Sequence, residues 1–129
     1  MRQPLLRKES DMAQNSQIAF APLGNTVVIP ATTSASTGVQ ALVFSRLDAQ
    51  STGQYRIINN SANTVFLGVG NTAAEAAANA VAPVAGTPTA AIVLIPGAVE
   101  VLRFARESFF SGLAPAGAST VYIVQGEGM

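Results

Sequence analysis

The chain has 129 residues, 49% hydrophobic and only 11% charged, a size and composition that suit one domain with a real core. Seven Lys and Arg offset seven Asp and Glu, so no net charge marks it for nucleic acid or an acidic membrane. Cys and His are absent, which excludes disulfide frameworks, thiol nucleophiles, imidazole bases and zinc sites built on those residues.

Charge concentrates at the start. Arg2, Arg7, Lys8, Glu9 and Asp11 fall within a few residues of one another, and no charge follows from Met12 to Ser45. Residues 1–17 carry Pro4 and show no sustained period of 2 or 3.6. They are expected to form an extended arm outside the core, with Leu5 and Leu6 as apolar anchors on a partner and Arg2, Arg7 and Lys8 at the contact rim. The apolar stretch Pro4-Leu5-Leu6 is too short for a signal-peptide core, and the later run 90–95 is far too short for a membrane span. Synthesis in a cytoplasm is the default expectation.

Residues 18–129 are read as a β domain. Short β-branched segments bounded by Gly, Pro, Asn and Ser predict strands at Thr26–Pro30, Val39–Leu47, Gln54–Asn59, Thr64–Val69, Ala90–Ile95, Val99–Ala105, Ser108–Leu113 and Thr120–Gln125. Asn59 to Asn63 reads as a hairpin loop, and Pro96-Gly97 as a turn. Between them, Thr72-x-x-Glu75 fits a capping box ahead of an alanine run that Pro83 would stop. A short helix and an irregular loop both remain open for residues 72–81. The strand count and turn spacing predict an all-β fold, an antiparallel sandwich or jelly-roll-like body. Its core is expected to draw on Val43, Ile57, Val65, Leu67, Val93, Val101, Phe104, Val121 and Ile123.

Chemistry is sparse. Local spacing pairs none of the carboxylates Asp48, Glu75, Glu100, Glu107 and Glu127, and Glu100 and Glu107 flank Arg103 and Arg106 as expected ion pairs. Lys8 is the single lysine and stands in the arm, away from any serine nucleophile of the body. Gly68-Val69-Gly70 lacks the third glycine of a dinucleotide site, and Asp11 and Asp48 stand too far apart for a calcium loop. The sequon Asn59-Asn60-Ser61 is read as a turn. No enzyme activity, cofactor or metal is expected. The aromatics fall mostly inside strands, as core residues do. A carbohydrate-binding β-sandwich would instead need them exposed, with Tyr55, Phe109 and Phe110 the nominees. A body so short of charge is expected to self-associate as a dimer or trimer.

The second half carries a more specific pattern. Tyr55-Arg56-Ile57-Ile58-Asn59 leads through a turn to Thr64-Val65-Phe66-Leu67-Gly68-Val69-Gly70. Ile95-Pro96-Gly97-Ala98-Val99-Glu100-Val101-Leu102 follows, and the end reads Ser119-Thr120-Val121-Tyr122-Ile123-Val124-Gln125-Gly126-Glu127-Gly128. Over roughly residues 54–129 this order resembles capsid decoration, or cement, proteins of tailed bacteriophages. The resemblance implies a β-sandwich body, no cofactor, and binding to the major capsid protein on the surface of the virion after synthesis in the host bacterium. A phage tail or head-fibre component is the alternative.

Overall fold

A computed structural model describes residues 19–43 and 52–128. The expected arm, with Arg2, Leu5, Leu6, Arg7 and Lys8, lies outside the described residues, as does the later part of the predicted strand Val39–Leu47, of whose described part only Val39–Gln40 is strand.

The described chain is all-β apart from one short helix. The strands are β1 (Ala21–Pro22), β2 (Val27–Thr32), β3 (Val39–Gln40), β4 (Thr52–Asn59), β5 (Val65–Gly70), β6 (Ile92–Leu94), β7 (Val99–Ala105), β8 (Phe109–Leu113) and β9 (Ser119–Glu127). They make one curled, hydrogen-bonded path in the order β6-β5-β8-β2-β9-β4-β7. Beyond the end of β2, β1 continues its side of β9, and β3 pairs with β8. The pairings of these strands are antiparallel except where β2 meets β8 in parallel, so the sheet is mixed.

Period-2 alternation sends one side of each strand inward. Ile29 and Ala31 of β2, Tyr55 and Ile57 of β4, Val65 and Leu67 of β5, and Val121 and Ile123 of β9 are fully buried. Phe110 joins Tyr55 and Phe104 in an aromatic cluster, with ring centroids 5.1–6.0 Å apart and tilted or edge-on contacts. The expected core thus holds at Ile57, Val65, Leu67, Val121 and Ile123, with Phe104 half-buried against it and Val43 half-buried. Val101 is a correction: it stands opposite exposed Arg56 on the outward parity of β7, where Leu102 beside it takes the inward place. Val93 is a correction. It pairs with Phe66 on the outward side of β6 and is 50% exposed, while Leu94 beside it is buried.

The segment left open becomes helix α1 (Ala73–Asn79). Thr72 Oγ1 accepts from Glu75 N, the first half of a capping box, and the Glu75 carboxylate reaches one residue further back to accept from Asn71 N. Seven residues are too few to be helical alone, and the sheet supplies the support. A Cβ on Gly68 would fall 2.1 Å from Ala76 O, and one on Gly70 would fall 2.7 Å from Ala76 N. Bare glycine on β5 and alanine on α1 let the two backbones touch, so α1 covers the outer side of β5 and β8.

Asn59 to Asn63 is not a hairpin. Both edges of β4 are already occupied, by β7 and β9, so β5 leaves to pair with β6 and β8. The Asn59 side chain fastens this junction. It is fully buried, and its Nδ2 lies 2.9–3.0 Å from the carbonyls of Asn63, Leu94 and Ile95, while Ser61 donates to its Oδ1 at 2.7 Å. The sequon nitrogen is therefore enclosed. The backbone N–H of Asn59 reaches Ala98 O, and its carbonyl accepts from Gly97 N. Pro96-Gly97 forms the turn between β6 and β7, closed by Ala98 N to Ile95 O at 3.0 Å, with Gly97 at φ 75°. Asn59→Ala should leave buried carbonyls without a donor and cost about 2–3 kcal/mol, read as a lowered urea midpoint with an unchanged slope.

Candidate interaction face

The outward positions of β7, β4, β9 and β2 align across the sheet. The registers Val99↔Ile58, Ile58↔Tyr122 and Val28↔Tyr122 set four apolar side chains in one row. Val99 and Val28 at its ends are 53% and 50% exposed, and Ile58 and Tyr122 between them are half-buried. The neighbouring row is Val101, Arg56 and Val124. These strands thus carry apolar residues on both sides, and no helix of the described residues lies over their outer side. The opposite end of the sheet solves the same problem within the chain, by placing α1 on Gly68 and Gly70.

Charge on this face is confined to arginine. No outward position of the four strands is acidic: Glu100 stands opposite Ile57 and shares its inward parity, and Glu127 closes β9 opposite Ala21. Arg103 donates to Thr52 Oγ1 at 3.2 Å. Arg56 is exposed and has no hydrogen-bond or ion-pair partner among the described residues. It lines an open groove of about 620 Å³ whose apolar side is made by Phe20, Pro22 and Val124. A Cβ on Gly126 would meet the Phe20 ring at 2.6 Å, so glycine there lets that ring lie on the sheet beside the groove.

Other polar groups serve the fold. Glu107, in a left-handed backbone conformation at φ 54°, is buried in the β7–β8 turn. Its carboxylate accepts from Val43 N at 3.1 Å, its amide donates to Gln125 Oε1 at 2.9 Å, and its carbonyl accepts from Gln40 Nε2 at 3.1 Å. Glu100 has no ion-pair partner among the described residues. The expected pairing with the arginines therefore does not extend to it, and Arg103 turns to Thr52 instead. The described residues contain no group of three or more His, Cys, Asp or Glu placed to hold a metal, and no helix among them is long and apolar enough to cross a membrane. Two of the nominated sugar platforms, Tyr55 and Phe110, are fully buried, because they face inward on paired strands.

The expected partner residues Arg2, Leu5, Leu6, Arg7 and Lys8 lie outside the described residues, and the face itself was not among the expected sites. Its signal is present in the sequence as unbroken apolar runs, Val27-Val28-Ile29, Ile57-Ile58 and Val121-Tyr122-Ile123-Val124, where a strand with one wet side would alternate. The chain matches no family model, no curated protein and no solved structure.

Burial raises the Tyr55 phenol above its ordinary value of 10.0, against a smaller opposing effect of hydrogen bonding with Ser108. The phenol accepts from Ser108 N at 3.0 Å and donates to Ala105 O. The folded state therefore holds this proton more tightly than the unfolded state. The stabilisation is complete below 10.0 and is lost as pH rises beyond it toward the folded-state value. Urea unfolding across that range should show wild-type stability falling more steeply than that of Tyr55→Phe. The variant itself should start about 1–3 kcal/mol lower, with Ser108 N unsatisfied.

Proposed function

We propose that this chain is a structural virion protein that binds the outside of an assembled tailed-phage capsid and cements neighbouring major capsid protein subunits. The observation that carries this reading is the outer face of β7, β4, β9 and β2, which carries a continuous apolar row, holds no acidic residue at an outward position and is left open by the described chain. The resemblance of residues 54–129 to decoration proteins agrees with it. Attachment to the assembled shell alone would stabilise the shell by mass action, since anything that binds one state favours it. Many copies on one lattice would multiply weak contacts. In this reading Leu5 and Leu6 of the arm seat on adjoining subunits, with Arg2, Arg7 and Lys8 at the rim, and the protein acts as a dimer or trimer on the capsid surface.

Co-sedimentation tests the proposal. The chain should pellet with intact virions from its own source and stay in the supernatant with unassembled capsid subunits. Its absence from virions would overturn the reading. Deleting residues 1–17 should leave the β domain folded and lower shell occupancy at matched concentrations, with the apolar anchors worth roughly 1.5–3 kcal/mol each when fully buried. Equal occupancy would remove the arm from the contact.

A further inference from the structure

Two features of the outer face bear on what covers it. First, the row Val99, Ile58, Tyr122 and Val28 is continuous across four strands, and apolar side chains at that density are found where a second surface packs. Second, the charge beside that row is a lone guanidinium. Arg56 sits between Val101 and Val124, and no described group neutralises it.

A second copy of the chain suits this face poorly. A two-fold contact sets the patch against itself, so every outward charge meets the same set of charges. Here that set is Arg56 and Arg103, with no acidic residue at an outward position to answer them. The strand edges are also poor templates. The path ends in β6, only three residues long, and in β7, which carries Glu100 on its inward side. Short edges and inward-pointing charges discourage pairing between sheets.

We propose that the face is a docking surface for a protein segment that lays apolar side chains along the Val99–Ile58–Tyr122–Val28 row and sets a carboxylate on Arg56. The planar guanidinium holds a carboxylate through two parallel hydrogen bonds, a geometry that lysine does not offer. The groove gives that carboxylate a place: Arg56 is on one side, the apolar surfaces of Phe20, Pro22 and Val124 limit water, and Asn25 and Thr26 stand at its border. Arginine and tyrosine inside an apolar contact are the residues that most often carry binding energy. The inference deepens the structural reading above and rests on it only in taking the partner to be a protein.

The test needs no virion. Short peptides of alternating apolar residues and threonine, tethered sparsely to a sensor surface, carry a single central glutamate, glutamine or lysine. The full chain should bind the glutamate peptide about tenfold more tightly than the lysine peptide. Arg56→Gln should bring the two within about twofold, and Arg56→Glu should reverse the order, because the preference is one of charge. Tyr122→Ala should weaken binding to the glutamate, glutamine and lysine peptides alike. Both Arg56 variants should melt as the wild type does, since the side chain is exposed and unpartnered. No charge preference in the wild type, or a preference that survives Arg56→Gln, would overturn the proposal. So would sedimentation showing a wild-type dimer that Tyr122→Glu dissociates, because the face would then belong to a second copy. Peptide discrimination without co-sedimentation would remove the capsid reading and leave the docking chemistry standing. Co-sedimentation without discrimination would do the reverse.

Discussion

The buried amide of Asn59 is the constraint on which the rest of the sheet depends. The path begins at β6 and ends at β7, yet these strands are consecutive in the chain and only the turn around Pro96-Gly97 separates them. The two ends of the path must therefore come together. Asn59, at the end of β4, holds them there by donating to Leu94 and Ile95 carbonyls while its backbone bonds Ala98 and Gly97. Asparagine supplies two amide hydrogens and an acceptor in one short side chain, and a buried carbonyl left without a donor is costly. Aspartate would offer only acceptors to those carbonyls, and leucine would fill the space and satisfy none of them. Curling the sheet in this way encloses Tyr55, Phe110 and the aliphatic core on one side and turns the other side outward.

The outward side then meets two different fates. Over β5 and β8, glycine at positions 68 and 70 removes the side chains that would hold a helix away, and the small residues of α1 settle on the backbone. Over β7, β4, β9 and β2 the same layer is filled by valine, isoleucine and tyrosine, which occupy the depth a helix would need. One half of the sheet is covered by a helix of the described chain. The other is built to the same two-sided apolar pattern, and that pattern is stable in water only at the expense of exposed hydrocarbon.

Much of this was legible in the residues. Strand positions followed from β-branched segments between turn residues, and the cap at Thr72 and the turn at Gly97 followed from local chemistry that tertiary contacts did not override. Strand partners were not legible. Asn59 to Asn63 has the composition of a hairpin loop, but pairing depends on which edges of β4 are free, and β7 and β9 come from far along the chain to take both. Val93 was misplaced for a related reason: in a three-residue strand within an apolar run, alternation cannot decide which parity faces inward, and the partner Phe66 decides it. The outer face was missed because apolar runs were read as core alone, whereas a run that is apolar at both parities fills two sides of a sheet.

Low charge in the body acquires a positional meaning from this geometry. A chain with few charges on its surface can meet a partner over a broad area without stripping water from many ions, and the cost of such desolvation is what limits most polar contacts. A surface of that kind would be indiscriminate if it were wholly apolar. Arg56 changes this, since a guanidinium covered by a neutral or basic surface loses its hydration without compensation, whereas one met by a carboxylate does not. The apolar row supplies area and the arginine supplies rejection. A single cation among valines can therefore select one partner from many where, as here, the strands around it place no acid at an outward position.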